Sequence, residues 1–338
     1  MSGVEEESDS LGGRELRELQ KAVAGLRQEI ERRFGTPGEA GRWIGQLRDE
    51  TRSRVARMDV TRLFEEVRRR LSFLGMAERS AEVDEFGLDA AYLRQARPLL
   101  DFLYDRWWRV KEIGMEQIPD NPRVLFVANR SGILPYDGLM IAHAVERRAP
   151  DRVRPRFLVA DWLVRLPFTQ PILPRLGGVR ACPENAARLL SSDTPLIVFP
   201  EGQKGALKPF RDRYQLQRFG RGGFVSLAIE HSVPIVPVAV VGAEEAHPLL
   251  FRPQLPSRLI GAPFPVTPTF PHLGPLGLIP LPSQWVLLFG EPFRFDAEAR
   301  ERAEDPLYIN RTRQTIRSTV QHLVDEGLKL RRTVWSAD

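Results

Sequence analysis

Two polar corners in this chain hold the residue types that do chemistry. The first follows the apolar run Val124 to Ala128 and reads Asn129, Arg130, Ser131, Gly132, with Asp137 ahead of an amphipathic restart. The second follows another apolar run and reads Phe199, Pro200, Glu201, Gly202, with Lys204 just beyond. A carboxylate at such a corner can orient an imidazole base or pair with a cation. A histidine is missing from the first corner, and Arg130 stands in its place. Its guanidinium keeps its proton under protein conditions, so it cannot act as a general base. The histidines are His143, His231, His247, His272 and His322. His143 lies six residues past Asp137, about 600° round a helix and so roughly 240° off that face. His247 follows the Gly-Ala-Glu-Glu turn after an apolar run and can reach the same end of a sheet. Asp137 alone is a further, poorer base.

The elements that must position these corners alternate. Short apolar segments at 123–128, 155–159, 177–181, 195–200, 234–240 and 285–289 read as strands. Between them, 137–148, 161–175, 183–191 and 221–231 read as helices, and 307–332 as a closing helix. Strands alternating with helices predict an α/β protein, a mixed sheet flanked by helices. Ligand sites in such sheets gather at the carboxyl ends of the strands.

Upstream, residues 1–13 read as a disordered tail and 14–85 as a helical extension. Leu16, Leu19, Val23, Leu26 and Ile30 follow the spacing of a coiled-coil seam. Self-association through these helices, docking of a partner helix, and packing on the chain's own domain all stay open. A further helix at 88–110 carries Trp107 and Trp108; covering a core edge is favoured over a membrane interface. An α/β domain is expected over 86–305, with 306–338 a C-terminal helix packed on it. The proline-rich stretch 263–285 reads as a lid over a groove, with a packed crossover as its alternative.

The order of three segments is more specific than any one of them. The corner at Asn129, the intact Phe-Pro-Glu-Gly corner with Lys204, and the proline-containing strand "VPIVPVAV" resemble the glycerolipid acyltransferase family, the group containing lysophosphatidate acyltransferase. "LGGVRA" looks like that family's second block and offers Arg180; "VGAEEAHP" and "KPFRDRYQLQ" look like an uncharacterised bacterial branch. The resemblance covers roughly 100–300 of the sequence. It implies transfer of a fatty acyl group from acyl-CoA or acyl-carrier protein to a lysophospholipid or related hydroxyl, with no cofactor. It further implies Asn129, Arg130, Ser131, Gly132 and Asp137 at the reaction site, with Arg180, Phe199, Pro200, Glu201, Gly202 and Lys204 seating an anionic acceptor.

The family's first block pairs histidine with an aspartate, most often with four residues between. Here Arg130 replaces the histidine, and residues 131–136 separate it from Asp137. Losing a base costs about 10² to 10⁴ in rate. Two readings therefore stay open: retained acyl transfer, or an impaired lipid-binding or scaffold protein in which Arg130 and Asp137 close the site as an ion pair.

Bulk properties narrow the rest. The chain has 338 residues, 42% of them hydrophobic and 28% charged, with a formal net charge of +5. That balance suits an anionic partner such as a lipid surface, and binding to one through charge alone is a weaker third reading. Nucleic acid is not expected, because no recognised module accompanies the charge. Cys182 is the single cysteine, so it cannot staple the fold, and no Cys/His cluster marks a metal site. "FGRGG" lacks the Gly-Lys-Ser/Thr ending of a phosphate loop. The acidic start is unlike a secretory signal, and no run reaches the roughly 18 apolar residues of a spanning helix. The expected location is cytoplasmic, or peripheral on a membrane's cytosolic face.

Overall fold

The computed structural model describes residues 83–120, 123–165, 169–251, 263–268, 270 and 279–331. All of them lie in one compact unit, Leu74–Arg252 with Ile260–Asp338. The tail at 1–13, nearly all of the expected extension at 14–85, His272 and the middle of the proline-rich stretch lie outside the described residues.

In chain order the elements are α1 (Ala90–Phe102), β1 (Lys111–Ile113), β2 (Leu125–Ala128), α2 (Tyr136–Arg148), β3 (Arg156–Val159), β4 (Gly178–Arg180), α3 (Pro183–Ser191), β5 (Leu196–Val198), α4 (Gly202–Ala206), α5 (Gly223–Glu230), β6 (Ile235–Val241), α6 (Ala243–Ala246), β7 (Val286–Phe289), α7 (Ala297–Glu301) and α8 (Pro306–Leu330). The described strands form one sheet in the order β1-β7-β6-β2-β5-β3-β4. β2 to β6 run parallel to one another. β7 is antiparallel to β6, and β1 is parallel to β7. The sheet is therefore mixed and flanked by helices, as the alternation predicts. The carboxyl ends of β2, β5 and β6 share an edge with the start of β7.

β2, β5 and β6 are buried along their whole length. They read as continuous apolar runs because helices cover both faces of a parallel sheet. Pro237 is tolerated inside β6 because it falls at an irregular step of the pairing, between the regular ladder that starts at Val238–Phe289 and the isolated bridge Ile235–Phe293. On one face α8 crosses β6 and β7 and buries Ile316, Val320 and Val324 completely. Each such side chain contributes about 1.5–3 kcal/mol relative to exposure. On the opposite face α2 lies against β3. A Cβ at Gly138 would sit 2.8 Å from the Cβ of Phe157, so only glycine permits this approach.

Several expectations change. No α-helix forms among the described residues of 161–175. Pro171 and Pro174 disfavour one, and the described parts hold two short 3₁₀ turns, Leu163–Arg165 and Pro174–Leu176. The helix expected over 88–110 ends as α-helix at Phe102 and widens into a π-turn, Leu103–Trp107. That turn delivers Trp108 into the interior, stacked on Trp285 at 4.3 Å. β1 was not expected: its three residues are all exposed, so no apolar pattern marks it. The described end of the proline-rich stretch is pinned. Trp107 and Trp108 donate to the Pro280 and Leu281 carbonyls, and Ser283 donates to that of Gly242.

Candidate functional site

The first corner begins where β2 stops hydrogen-bonding as a strand. Asn129, almost fully buried, continues the ladder with its side chain: its amide donates to the Val240 carbonyl at 2.9 Å, and its oxygen accepts the Val240 N–H at 2.7 Å. This clamps the end of β2 to β6. The chain then turns through Gly132 at φ +69, a left-handed conformation that favours glycine, and enters α2 at Tyr136.

Asp137 occupies the first turn of α2 and is fully buried. One of its oxygens accepts from the Arg130 guanidinium and from the Gly138 N–H at 2.8 Å. The other accepts the Ser131 N–H at 2.9 Å. Burial pushes the Asp137 carboxyl up; Arg130 and the two N–H groups oppose it. Its position at the start of a helix adds further support for the anion.

Arg130 has only 7% of its side chain exposed. Besides Asp137 it lies over the Phe199 ring, 5.0 Å from the centroid. Its backbone N–H donates to Glu201 at 2.8 Å. The second oxygen of Glu201 accepts the Gln217 N–H at 2.6 Å, and Glu201 is buried. Burial pushes its carboxyl up, against Lys208 and those two N–H groups. The two corners are thus joined, and the Arg130 side chain occupies the space between them. Gly205 makes this possible: a Cβ there would fall 2.6 Å from that of Glu201 and 2.9 Å from that of Arg130.

The structure therefore brings together Asn129, Arg130, Ser131, Gly132, Asp137, Phe199, Glu201 and Gly202, with Pro200 accepting from the Gly220 N–H. It turns most of their polar atoms toward one another. Lys204 stands exposed on α4. Arg180 is elsewhere. It ends β4, three strand spacings from β2, about 14 Å. There it forms an exposed two-point pair with Asp161, at 2.8 and 2.9 Å.

Of the histidines, His143 is buried against Asp101 at 3.0 Å. Burial and nearby Arg154 hold it down to about 4, although Asp101 and Glu146 pull it up. His231 caps α5 at the opposite sheet edge, and His322 is exposed on α8 beside Glu326. His247 is at the corner. Its ring stacks on Tyr136, centroids 5.7 Å apart and planes 5° apart, and a Cβ at Gly132 would lie 3.9 Å from its own. Tyr136 also meets Trp108 edge-on at 5.2 Å.

Sequence reasoning missed a buried polar cluster beneath the corner. Lys208 pairs with Glu244 at 3.0 Å, and Tyr214 bonds to Glu245, which Arg331 also holds at 2.9 Å. Burial pushes Glu244 up to about 7, with Lys208 and the Tyr214 N–H pulling it back. The available signal was a pair of glutamates, Glu244 and Glu245, two residues past a wholly apolar strand.

Chemically, the corner offers a rigid turn whose Gly132 and Ile133 N–H groups meet no acceptor among the described residues. Beside it are one imidazole and a cation on α4. No group of His, Cys, Asp and Glu able to hold a metal occurs among the described residues.

A family model described as Acyltransferase matches residues 109–241, which span β1 to β6 and both corners. An uncharacterized protein of Mycobacterium tuberculosis is 44% identical over 255 residues, 75% of this chain and 71% of that protein. One from Mycobacterium leprae is 44% identical over 255 residues, 75% of this chain and 70% of its own length. Among solved structures, a 1-acyl-sn-glycerophosphate acyltransferase from Thermotoga maritima aligns over 79% of this chain and 89% of its own. The identity is 18% and the TM-score 0.45.

Proposed function

This chain belongs to the acyltransferase family, and from that premise we propose that it moves a fatty acyl group from a thioester, acyl-CoA or acyl-carrier protein, to the hydroxyl of a lysophospholipid or related acceptor. One observation carries the reading. The family match contains both corners, and a hydrogen bond from the Arg130 N–H to Glu201 joins them into one rigid unit at the carboxyl edge of the sheet.

In this reading the acceptor oxygen attacks the thioester carbon on the solvent side of the turn. The Gly132 and Ile133 N–H groups stabilise the negative oxygen of the tetrahedral intermediate, the kind of aimed donor that such a step needs. The hydroxyl proton ends on the departing thiolate. Asp137 and Glu201 position the turn, since every described contact of their carboxylates is internal. Lys204 faces the acceptor's anionic group, and Arg180 serves one long enough to reach β4. The protein works as a peripheral protein at a membrane's cytosolic surface. No helix among the described residues is long and apolar enough to cross a bilayer.

The Arg130–Asp137 pair favours a second reading, a lipid-binding or scaffold protein that keeps the fold with impaired catalysis. Purified protein assayed for acceptor-dependent thiol release, across several donors and lysophospholipids, separates the two. Turnover by the natural chain supports the first. Turnover only after Arg130→His supports the second, and none in either form refutes the enzymatic reading.

A further inference from the structure

We propose that His247 is the general base for the acceptor hydroxyl, acting from the loop after β6 in place of the residue at position 130. The inference rests on the acyltransferase reading and goes beyond it by naming the proton acceptor.

The argument starts from what the corner's other groups cannot do. Arg130 is a permanent cation. Asp137 has both oxygens engaged and no exposed surface. Glu201 is closed between two backbone N–H groups. His143, His231 and His322 belong to other parts of the unit.

His247 alone among the described histidines combines position with access. It is half-buried, against Gly132 and therefore beside the unoccupied N–H groups of the turn. Its ring is held by the parallel Tyr136 ring, itself braced by Trp108. Tyr136 opens α2 at the residue before Asp137, so the network that fixes the carboxylate also fixes the surface under the imidazole. Glu244 and Glu245 point inward to Lys208 and Arg331, and Asp137 is closed by Arg130. The imidazole thus lies flat on the Tyr136 ring beside the turn, and an imidazole can take up a proton and give it back.

In the step, the imidazole takes the acceptor's hydroxyl proton as the new C–O bond forms. The carbon–sulfur bond then breaks, and the imidazolium returns the proton to the thiolate, leaving free thiol, ester and neutral His247.

The test compares the full chain with His247→Gln, His247→Ala, His322→Gln as a surface control, and Arg130→His combined with His247→Gln. An acyl-CoA donor and a lysophosphatidate acceptor serve as probes, and circular dichroism checks the fold. His247→Gln is expected to lower kcat about 10² to 10⁴-fold, the usual worth of a base, with KM within about threefold. It should also remove the acid-side loss of rate that an imidazole base imposes. His322→Gln should match the natural chain, and an imidazole restored at 130 should recover part of the lost rate. A folded His247→Gln protein with natural kcat and an unchanged pH profile overturns this inference and leaves the acyltransferase reading standing. A natural chain with no turnover on any donor overturns both.

Discussion

The buried Arg130–Asp137 pair has an asymmetric energetic signature. Removing one partner of a buried pair costs about 3–5 kcal/mol, because the other is left uncompensated. Asp137 and Arg130 are 0% and 7% exposed, so solvent offers neither much relief. The partners then respond differently to pH. In Arg130→Met, the stranded carboxyl can take up a proton, and burial already pushes it toward doing so. A folded-state pKa raised above the unfolded value contributes stability that is present at low pH and lost as pH rises. The cost of Arg130→Met should therefore be smaller at pH 5 than at pH 8. In Asp137→Asn the guanidinium cannot shed its proton, so that cost should be flat over the same range. The double variant should be more stable than the sum of the single effects by about 2 kcal/mol or more, since neither charge is then stranded. Urea unfolding followed by tryptophan fluorescence provides the assay, with Trp108 and Trp285 buried beside the corner. At roughly 2–4 °C per kcal/mol, each single variant should melt about 6–20 °C lower. Additivity within about 0.5 kcal/mol, or a flat pH dependence for Arg130→Met, would refute the reasoning.

Three further outcomes follow from the geometry. Gly138→Ala places a Cβ 2.8 Å from Phe157; overpacking should cost about 1–3 kcal/mol, read as a lower thermal midpoint, and an unchanged midpoint would show that α2 can move off β3. Burial raises Glu244 to about 7, so its contribution is present below its ordinary range near 4.5 and lost as pH rises through 7. The stability of the natural chain minus that of Glu244→Gln should accordingly fall by at most about 3 kcal/mol between pH 4.5 and 7.5. His143, held neutral down to about 4 chiefly by burial, titrates in the opposite sense in both proteins and cancels from the difference. Arg180→Ala breaks an exposed pair and should change stability by less than about 1 kcal/mol; a rise in KM for a phosphate-bearing acceptor places Arg180 in the acceptor site, and an unchanged KM removes it.

The sheet-forming segments and both corners are legible in the sequence, because they depend on short-range pattern. A buried parallel strand must be a continuous apolar run, and the polar residues that end it mark the edge where ligands bind. β2 to β7 and α2, α3, α5 and α8 were legible in this way to within a few residues. β1 was not, having no buried face, and in the described part of 161–175 the prolines at 171 and 174 outweighed an apolar spacing that reads as helical. How the corner is filled depends on long-range packing. The Arg130 N–H reaches Glu201, 71 positions away, and Asn129 completes the ladder of a strand 111 positions away. His247 comes to lie on Tyr136 because β6 ends beside β2. None of these contacts has a local signal. Each depends on strand order and register, and those are set by how the whole apolar surface packs.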